Sequence, residues 1–364
     1  MRSSPWCVLL AVALGAACRD APTAPTPPAR VDLSQAWVRA SPAAVGMNAL
    51  GLVAAQGDAA AIPRFRGLLV ARHGRLVAEY YFGGADSTTL FDVRSVTKSV
   101  MCALTGIALR DGVLPSTAAS IAPFLAPPDT LDAGDSAVTV RDLLTMTAGY
   151  QWNETTGPDY NLWIGADDHV QYLLDRAHVA LPGATFTYNS AAAHTLGVVL
   201  QDAAGTALAS YASAHLFAAL ATDTVGWEPL DRGTFNGGAG VALRGRDLLK
   251  FGQLFLQRGW SGDLSVVPEG WVDSVTRPQF AWRDTVGPLQ RVTYGMLWWL
   301  SDASPAAFFA WGYGGQFVYV VPGRDLVVVT TTDWAGLSEI TPNALAAEVM
   351  GVIVKDIVPA AATP

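Results

Sequence analysis

The chain has 364 residues, of which 51% are apolar and 15% charged, with 12 Trp and 10 Tyr. This composition excludes a disordered chain and provides enough material for one large domain or two smaller ones. The net charge of −8 and the pI of about 5.0 do not fit the basic footprint of a nucleic-acid-binding protein.

Residues 1–18 predict an exported protein. Trp6–Ala17 forms an apolar run that is too short to span a bilayer and is typical of a signal-peptide core. The small residues before Cys18 resemble a bacterial lipoprotein cleavage box, in which Cys18 becomes the lipidated first residue, although Leu14 stands one place early. Plain secretion after an A-x-A-like cut is the alternative. We expect a periplasmic or cell-envelope protein whose only membrane contact is this anchor.

Residues 19–35 form a Pro-rich segment, which predicts an extended linker between the anchor and a folded domain. Only Cys102 remains among the three cysteines once the signal segment and its end are set aside. The mature domain is therefore expected to have no disulfide, and Cys102 is interpreted as a small buried hydrophobic residue. No later segment has the pattern of a transmembrane helix.

The folded domain is assigned to residues 36–360 and begins with a predicted β-hairpin. Two strand-like runs, Gly67–Arg72 and Arg75–Phe82, flank a turn at His73 and Gly74. Residues 91–112 then predict an apolar helix.

The middle of the chain, about residues 116–235, predicts helices and loops. The run "TVRDLLTMTAG" has helical spacing, with Thr139 as its N-cap and Gly149 as its stop. The run "SAAAHTLGVVLQDAAG" predicts another helix that ends at Gly205, and an amphipathic helix follows in "GRDLLKFGQLFLQRG".

The C-terminal part predicts strands in "TYGMLWWL", "AFFAWG", "GQFVYVVP" and "DLVVVTTT", with turns between them, and a last helix in "NALAAEVMGVIVKDIV". This order predicts an α/β (α+β) fold in which an antiparallel sheet is flanked by helices. The α/β region would combine residues 36–115 and 236–360, with a mainly helical subdomain inserted between them.

Lysine is rare in this chain, and one of its three lysines lies in the apolar 91–112 segment. Ser95 and Lys98 are three residues apart, so a helix places them on one face. Burial favours the neutral amine and lets a lysine accept a proton, whereas arginine does not deprotonate in proteins. A Ser–Lys pair is a known nucleophile arrangement, but S-x-x-K alone also fits a capping serine and a lysine that snorkels to solvent.

Several segments in a fixed order make the case more specific. "RSVTKSVMCALTGIALRDGVL", "VTVRDLLTMTAGY", "FTYNSAAAHTLGVVL" and "WGYGGQFVYVVPGRDLVVV" resemble the serine β-lactamase-related hydrolases over most of residues 45–355. That family includes class C β-lactamases, penicillin-binding DD-peptidases, esterases and 6-aminohexanoate-dimer hydrolases. The resemblance implies the β-lactamase/transpeptidase-like fold, with Ser95 as nucleophile, Lys98 as its base and Tyr188 as the acid/base that serves the leaving group and then the deacylating water.

Two family motifs depart from their usual form. The Y-x-N motif falls at Tyr188, where Ser190 replaces the final asparagine, a change that also occurs in the esterase and amide-hydrolase branches. The K-T-G motif falls at Gly312, Tyr313 and Gly314 and lacks its cation, which puts β-lactamase and DD-peptidase activity in doubt. The resemblance implies an oxyanion hole made by the Ser95 N–H and an N–H of Tyr313 or Gly314.

The segment Gln151–Trp163, which includes Trp152, is aromatic and polar and could shape or cover the site, or be an ordinary surface loop. The histidines show no metal-ligand spacing and are interpreted as structural, and no G-x-S-x-G elbow is present. The expected function is an exported serine hydrolase that cleaves a small ester, amide or peptide-like substrate without a metal or organic cofactor. A β-lactamase or cell-wall peptidase, and a non-catalytic lipoprotein binding module, are the alternatives.

Overall fold

The computed structural model of the chain describes residues 30–125, 127–280, 284–338 and 340–361. The predicted signal segment with Cys18, and all but the last residues of the predicted linker, lie outside these ranges. Among the helices of the described ranges, none has the length and apolar character needed to cross a membrane.

The strands of the described residues fall into one large and two small antiparallel sheets. The large sheet has eight strands in the order β2-β1-β13-β12-β11-β10-β9-β8. A three-stranded sheet has the order β3-β5-β4, and β6 pairs with β7. The strands are β1 Phe65–Arg72, β2 Arg75–Tyr81, β3 Leu90–Asp92, β4 Gly226–Trp227, β5 Val241–Arg244, β6 Trp260–Ser261, β7 Leu264–Ser265, β8 Asp284–Val286, β9 Leu289–Tyr294, β10 Trp299–Ser301, β11 Ala307–Gly312, β12 Gln316–Val321 and β13 Leu326–Thr332.

The helices occupy the start, the middle and the end of the described chain. They are α1 Ala49–Ala61, α2 Val96–Arg110, α3 Ala133–Ala137, α4 Val140–Leu144, α5 Asp159–Ile164, α6 His169–Leu174, α7 Ser190–Ala204, α8 Leu208–Ala212, α9 Gly245–Leu256, α10 Glu269–Val275, α11 Pro342–Val352 and α12 Val358–Ala360. A π-helical turn, Ile353–Ile357, joins the last two.

Both ends of the chain contribute to the large sheet. The N-terminal strand β1 pairs with the C-terminal strand β13, with Leu68 opposite Thr330 and Val70 opposite Val328. Nearly all of β1 is buried, and its apolar run at residues 68–71 is typical of a strand covered on both faces. This pairing joins the N-terminal and C-terminal parts of the described chain in a single sheet.

Helices pack on this sheet and on one another. α9 packs against β1, β12 and β13, and its Gly252 allows the close approach, because a Cβ there would lie 2.7 Å from a side-chain carbon of Val318. In the middle of the chain α7 contacts α2, α4, α5, α6 and α8. The helical region is therefore organised around α7, which also packs against the helix that follows Ser95.

The predicted hairpin is confirmed by β1 and β2, and the predicted C-terminal meander by the consecutive pairing of β9 to β13. Thr139 caps α4 as predicted. In residues 116–235 the described strands are limited to β4, which belongs to the small sheet. The division of the domain near residues 115 and 235 stays a prediction.

Three predicted boundaries were wrong. The 91–112 helix starts only at Val96, because Leu90–Asp92 pairs with β5 as a strand. "TYGMLWWL" is not one strand, because Leu297 has φ 59° and the chain turns there between β9 and β10. α4 ends at Leu144 and not at Gly149, since Met146 already has φ 60°. In each case the local pattern of apolar residues did not predict the point at which the backbone changes direction.

Candidate active site

Ser95 lies at the start of α2, immediately after a strained residue. Arg94 has φ 50°, a left-handed conformation that is uncommon for a residue with a side chain. The Asp92 carboxylate accepts a hydrogen bond from the Arg94 N–H at 3.0 Å, and the Arg94 guanidinium donates to the Tyr160 hydroxyl at 2.9 Å. The same guanidinium lies 4.2 Å from the ring centre of Trp334. These contacts hold the turn that precedes Ser95. Strained backbone conformations such as that of Arg94 are concentrated at functional sites in proteins.

Lys98 lies one turn along α2 and is 1% exposed. Its Nζ lies 2.9 Å from Ser95 Oγ, 2.8 Å from Ser190 Oγ and 2.7 Å from the carbonyl oxygen of Gly238. An ammonium group has three N–H donors and no acceptor, so these three oxygens satisfy it completely. The snorkelling interpretation of this lysine does not fit the geometry, since the amine points into the protein and at Ser95.

The surroundings of Lys98 bring its titration close to neutral pH. Burial lowers the pKa of Lys98 from its ordinary 10.5 to about 8, and the nearby Arg94 acts in the same direction. Glu154 opposes these effects and raises this pKa. A substantial fraction of the amine is therefore neutral near physiological pH and can accept a proton.

The loop that immediately precedes β5 supplies the Gly238 carbonyl that holds Lys98. The Asn236 side-chain oxygen accepts hydrogen bonds from the N–H groups of Gly238 and Ala239, at 2.9 and 3.0 Å. A Cβ on Gly238 would lie 2.6 Å from the carbonyl oxygen of Ser190, so only glycine lets this loop approach α7. The loop thereby fixes one of the three oxygens around the amine.

Glu154 is the acidic residue of the site. Its carboxylate accepts the Ser190 hydroxyl at 2.7 Å, the Ser190 backbone N–H at 2.6 Å and the Trp152 indole N–H at 2.8 Å. Ser190 begins α7 and is 1% exposed. A carboxylate is thus connected to Lys98 through a single buried hydroxyl.

Tyr188 covers Lys98 from another side. Its ring centre is 4.7 Å from Lys98 Nζ, within the range of a cation–π contact. Burial, with a smaller contribution from Glu154, raises the pKa of Tyr188 well above its ordinary value, and a hydrogen bond with Ser95 acts in the opposite direction. The phenol is therefore protonated at neutral pH and can donate a proton.

An aromatic row leads away from Tyr188. Its ring centre is 5.8 Å from that of Trp299, which is 5.3 Å from that of Trp311 on β11. Tyr294 packs edge-on against Trp299 at 4.8 Å. This row gives the neighbourhood of Tyr188 and Lys98 an apolar, aromatic wall.

Strand β11 ends at Gly312, and the segment Gly312, Tyr313 and Gly314 lies next to the turn that precedes Ser95. A Cβ on Gly312 would overlap the carbonyl oxygen of Val93, two residues before Ser95. Gly314 has φ 79°, and Tyr313 is 51% exposed between the two glycines. The close approach of Gly312 to Val93 places the end of β11 beside the turn that precedes Ser95.

Ser95, Lys98, Tyr188 and Ser190, which the sequence predicted to share one site, lie next to one another in the structure. It places Trp152 under Glu154, with its indole N–H engaged by that carboxylate, and 7% exposed. Sequence reasoning missed three contributors, Glu154, Asn236 and Gly238. Glu154 lies in the aromatic loop 151–163 that the sequence had singled out, and the glycine-rich run "NGGAG" was the available signal for the other two.

A second polar cluster lies elsewhere in the described residues. The cluster consists of Asp132, Asp135 and His178, each of which has one side-chain oxygen or nitrogen within 4.8 Å of those of the other two. The two carboxylates form the capping box of α3, and Asp135 also accepts the Tyr150 hydroxyl at 2.7 Å. These bonds account for the cluster as part of the helix start.

Comparison with known proteins identifies the family of the chain. The sequence model of the beta-lactamase family matches residues 51–349. The 6-aminohexanoate-dimer hydrolase of Paenarthrobacter ureafaciens is 23% identical over 284 residues, covering 73% of this chain and 72% of that protein.

Solved structures share the fold at low sequence identity. The penicillin binding protein from Bacillus halodurans superposes with a TM-score of 0.64 at 18% identity, covering 83% of this chain and 98% of that one. EstCE1, a hydrolase with promiscuous acyltransferase activity, gives the same TM-score, identity and coverage. The fold is thus the β-lactamase/transpeptidase-like fold, with an antiparallel sheet flanked by helices. The chain belongs to the beta-lactamase family and is a serine hydrolase.

Proposed function

We propose that the protein hydrolyses an ester or amide through an acyl-enzyme formed on Ser95. The observation that carries the proposal is the 2.9 Å contact between Ser95 Oγ and the buried amine of Lys98. A nucleophile and a base at this distance satisfy the geometric requirement for general-base activation.

In the acylation step the Ser95 hydroxyl gives its proton to the neutral Lys98 amine as Oγ bonds to the substrate carbonyl carbon. The pKa of about 8 for Lys98 leaves part of the amine neutral at physiological pH. The oxyanion of the tetrahedral intermediate would accept hydrogen bonds from the Ser95 N–H and from an N–H of Tyr313 or Gly314. Collapse of the intermediate breaks the bond to the leaving group and leaves the acyl group on Ser95.

Tyr188 is proposed to serve the leaving group and then the water. Because its pKa is raised, the phenol is protonated and can donate to the departing alkoxide or amine. In the second half-reaction the Tyr188 phenolate left by acylation takes a proton from the attacking water as the water oxygen bonds to the acyl carbon. The Ser95–acyl bond then breaks, and the Lys98 ammonium returns its proton to Ser95 Oγ. The acid is released and the serine is regenerated.

The surroundings favour an uncharged acyl group over a β-lactam. Trp299 and Trp311 form an aromatic wall beside Tyr188. Gly312 stands at the first position of the K-T-G motif, where related β-lactamases carry a cation for the substrate carboxylate. The curated relative is named for a linear amide, the 6-aminohexanoate dimer. Esters and short linear amides are therefore the substrates to test first.

The experiment measures turnover of p-nitrophenyl esters, short linear amides and a chromogenic cephalosporin by the wild-type protein and by Ser95→Ala. We expect turnover of an ester or amide, and a loss of about 10⁴-fold or more in Ser95→Ala. Ser99→Ala is the matched control, because that serine lies on the same helix and donates to the Leu297 carbonyl. Turnover of the cephalosporin alone would support the β-lactamase alternative, and a folded protein inert to all three classes would support a binding module.

Export is proposed from the sequence of residues 1–18, with lipidation at Cys18. Labelling cells that express the full chain with a radioactive fatty acid tests it. Incorporation that is lost in Cys18→Ala supports the lipoprotein, whereas an unlabelled protein released from the envelope supports plain secretion.

A further inference from the structure

Glu154 and Ser190 have no role in the steps above, yet several short hydrogen bonds hold both residues beside Lys98. The carboxylate accepts three hydrogen bonds of 2.6 to 2.8 Å, two of them from Ser190 and one from Trp152. The Ser190 hydroxyl has a single hydrogen, and it is directed at Glu154. Its oxygen can therefore act only as an acceptor toward Lys98.

This arrangement decides where the lone pair of Lys98 points. A neutral amine has two N–H donors and one lone pair. Ser190 Oγ and the Gly238 carbonyl are both acceptors, at 2.8 and 2.7 Å, so they take the two N–H groups. The lone pair is left for the third neighbour, the Ser95 hydroxyl at 2.9 Å. The amine is thus aimed at the proton that it must remove.

We propose that Glu154 is a positioning residue that acts through the Ser190 hydroxyl, orienting the neutral Lys98 amine toward Ser95 and stabilising the ammonium formed when Ser95 gives up its proton. This inference rests on the proposed function. The carboxylate of a Ser-His-Asp triad has the same two tasks toward its base. Here the carboxylate reaches the base through one intervening hydroxyl.

The charged and titratable groups that face Lys98 give the proposal a pH signature. They are Glu154 from the 151–163 loop, Arg94 before α2 and the Tyr188 phenol before α7. Glu154 raises the pKa of Lys98 and Arg94 lowers it. Removing the charge of Glu154 therefore moves the acid limb of the activity profile, which reports the loss of the Lys98 proton, toward lower pH.

The test measures kcat/KM for a p-nitrophenyl ester as a function of pH for the wild-type protein and Glu154→Gln. We expect the acid limb to move to lower pH and the plateau to fall by about 10- to 100-fold, since a hydrogen bond to a charged group is lost in the acylation step. The proton leaves Lys98 more easily in this variant, but the amine is a weaker and less well-directed base.

Asp159→Asn is the matched control for a disturbed loop. Asp159 is buried in the same segment, where its carboxylate accepts from the Asn153 N–H at 2.6 Å and from Arg176 at 3.2 Å. Its limb is expected at the wild-type position. An unmoved limb in Glu154→Gln, or an undiminished plateau, overturns the proposal, as does the same limb shift in both variants.

Ser190→Ala tests the connecting hydroxyl. It keeps the charge of Glu154 but breaks its link to Lys98, so the plateau is expected to fall by a similar factor. The variant that combines Glu154→Gln with Ser190→Ala should lose no more activity than the less active of the two single variants, because both changes interrupt the same connection to Lys98. Wild-type activity in Ser190→Ala, or losses that multiply, overturn the proposal. Labelling of Ser95 by an acylating or phosphonylating probe is measured first, since its failure refutes the proposed function itself.

Discussion

Lys98→Met is expected to reduce catalysis strongly while making the protein more stable at neutral pH. Methionine has a similar volume and no charge, so it fits the buried position without the cost of burying an ammonium. The loss of the general base should lower acylation by about 10²- to 10⁴-fold. Stability and activity would then move in opposite directions at one buried residue.

The size of the stability change follows from the pKa of Lys98. Folding lowers it from 10.5 to about 8, which corresponds to a cost of about 3 kcal/mol for the ammonium. The Gly238 carbonyl loses its donor in the variant, which offsets about 1 to 2 kcal/mol. We therefore expect Lys98→Met to be about 1 to 2 kcal/mol more stable than the wild-type protein at about pH 7.

The stability gap should depend on pH with a defined sign. The unfolded chain holds the Lys98 proton up to about pH 10.5 and the folded chain only up to about pH 8. The cost in the wild-type protein is therefore complete below the folded pKa and fades as pH rises through it. Between about pH 7 and about pH 9 the advantage of Lys98→Met should shrink by about 1 kcal/mol.

Urea unfolding of both proteins at the two pH values measures the gap, and ester hydrolysis measures activity. Lys250→Met is the matched control, because Lys250 is also buried, donates to the Leu220 carbonyl and lies outside the proposed site. Its activity should equal that of the wild-type protein. A Lys98→Met variant that is less stable at neutral pH, or a gap that does not change with pH, would refute the assignment of Lys98 as a buried base of lowered pKa.

Two further predictions concern the other sides of the site. Tyr188→Phe should keep the ring over Lys98 but lower kcat by about 10²- to 10⁴-fold, and mass spectrometry of the reacting protein should show whether acylation or deacylation is slowed; an unchanged kcat would remove the phenol from the mechanism. Gly312→Ala should cost about 1 to 3 kcal/mol of unfolding free energy and most of the activity, since its Cβ meets the Val93 carbonyl. Gly270→Ala, where a Cβ meets nothing within 4 Å, should be neutral or stabilising, and equal behaviour of the two variants in urea unfolding would contradict the packing argument.

Local sequence was sufficient for the elements whose pattern matches their burial. The hairpin turn at His73 and Gly74 has φ of 51° and 67°, which its turn residues allow, and the C-terminal strands are bounded by similar signals. The turn at Leu297 was not predictable, because a leucine with positive φ is held by tertiary packing and not by its own preference. For the same reason the helix at residues 91–112 was placed too early.

The residues of the candidate site show the same difference between contacts that are local in the sequence and contacts that depend on tertiary packing. Ser95 and Lys98 are close in sequence, so helical spacing alone brought them together. Ser190 and Glu154 are 36 residues apart, and Gly238 is 140 residues from Lys98, so their contacts exist only once α7 and its neighbouring loops are packed. The proximity of Ser95 and Lys98 was therefore predictable, whereas the contacts made by Ser190, Glu154 and Gly238 were not.

The most direct test of the account is to treat the native protein with a fluorophosphonate and locate the adduct by peptide mass spectrometry. The account predicts an adduct on Ser95 that requires the native fold and is strongly reduced in Lys98→Met. An adduct at another residue, equal labelling of native and heat-denatured protein, or a folded protein that remains unlabelled would contradict the claim that Lys98 activates Ser95.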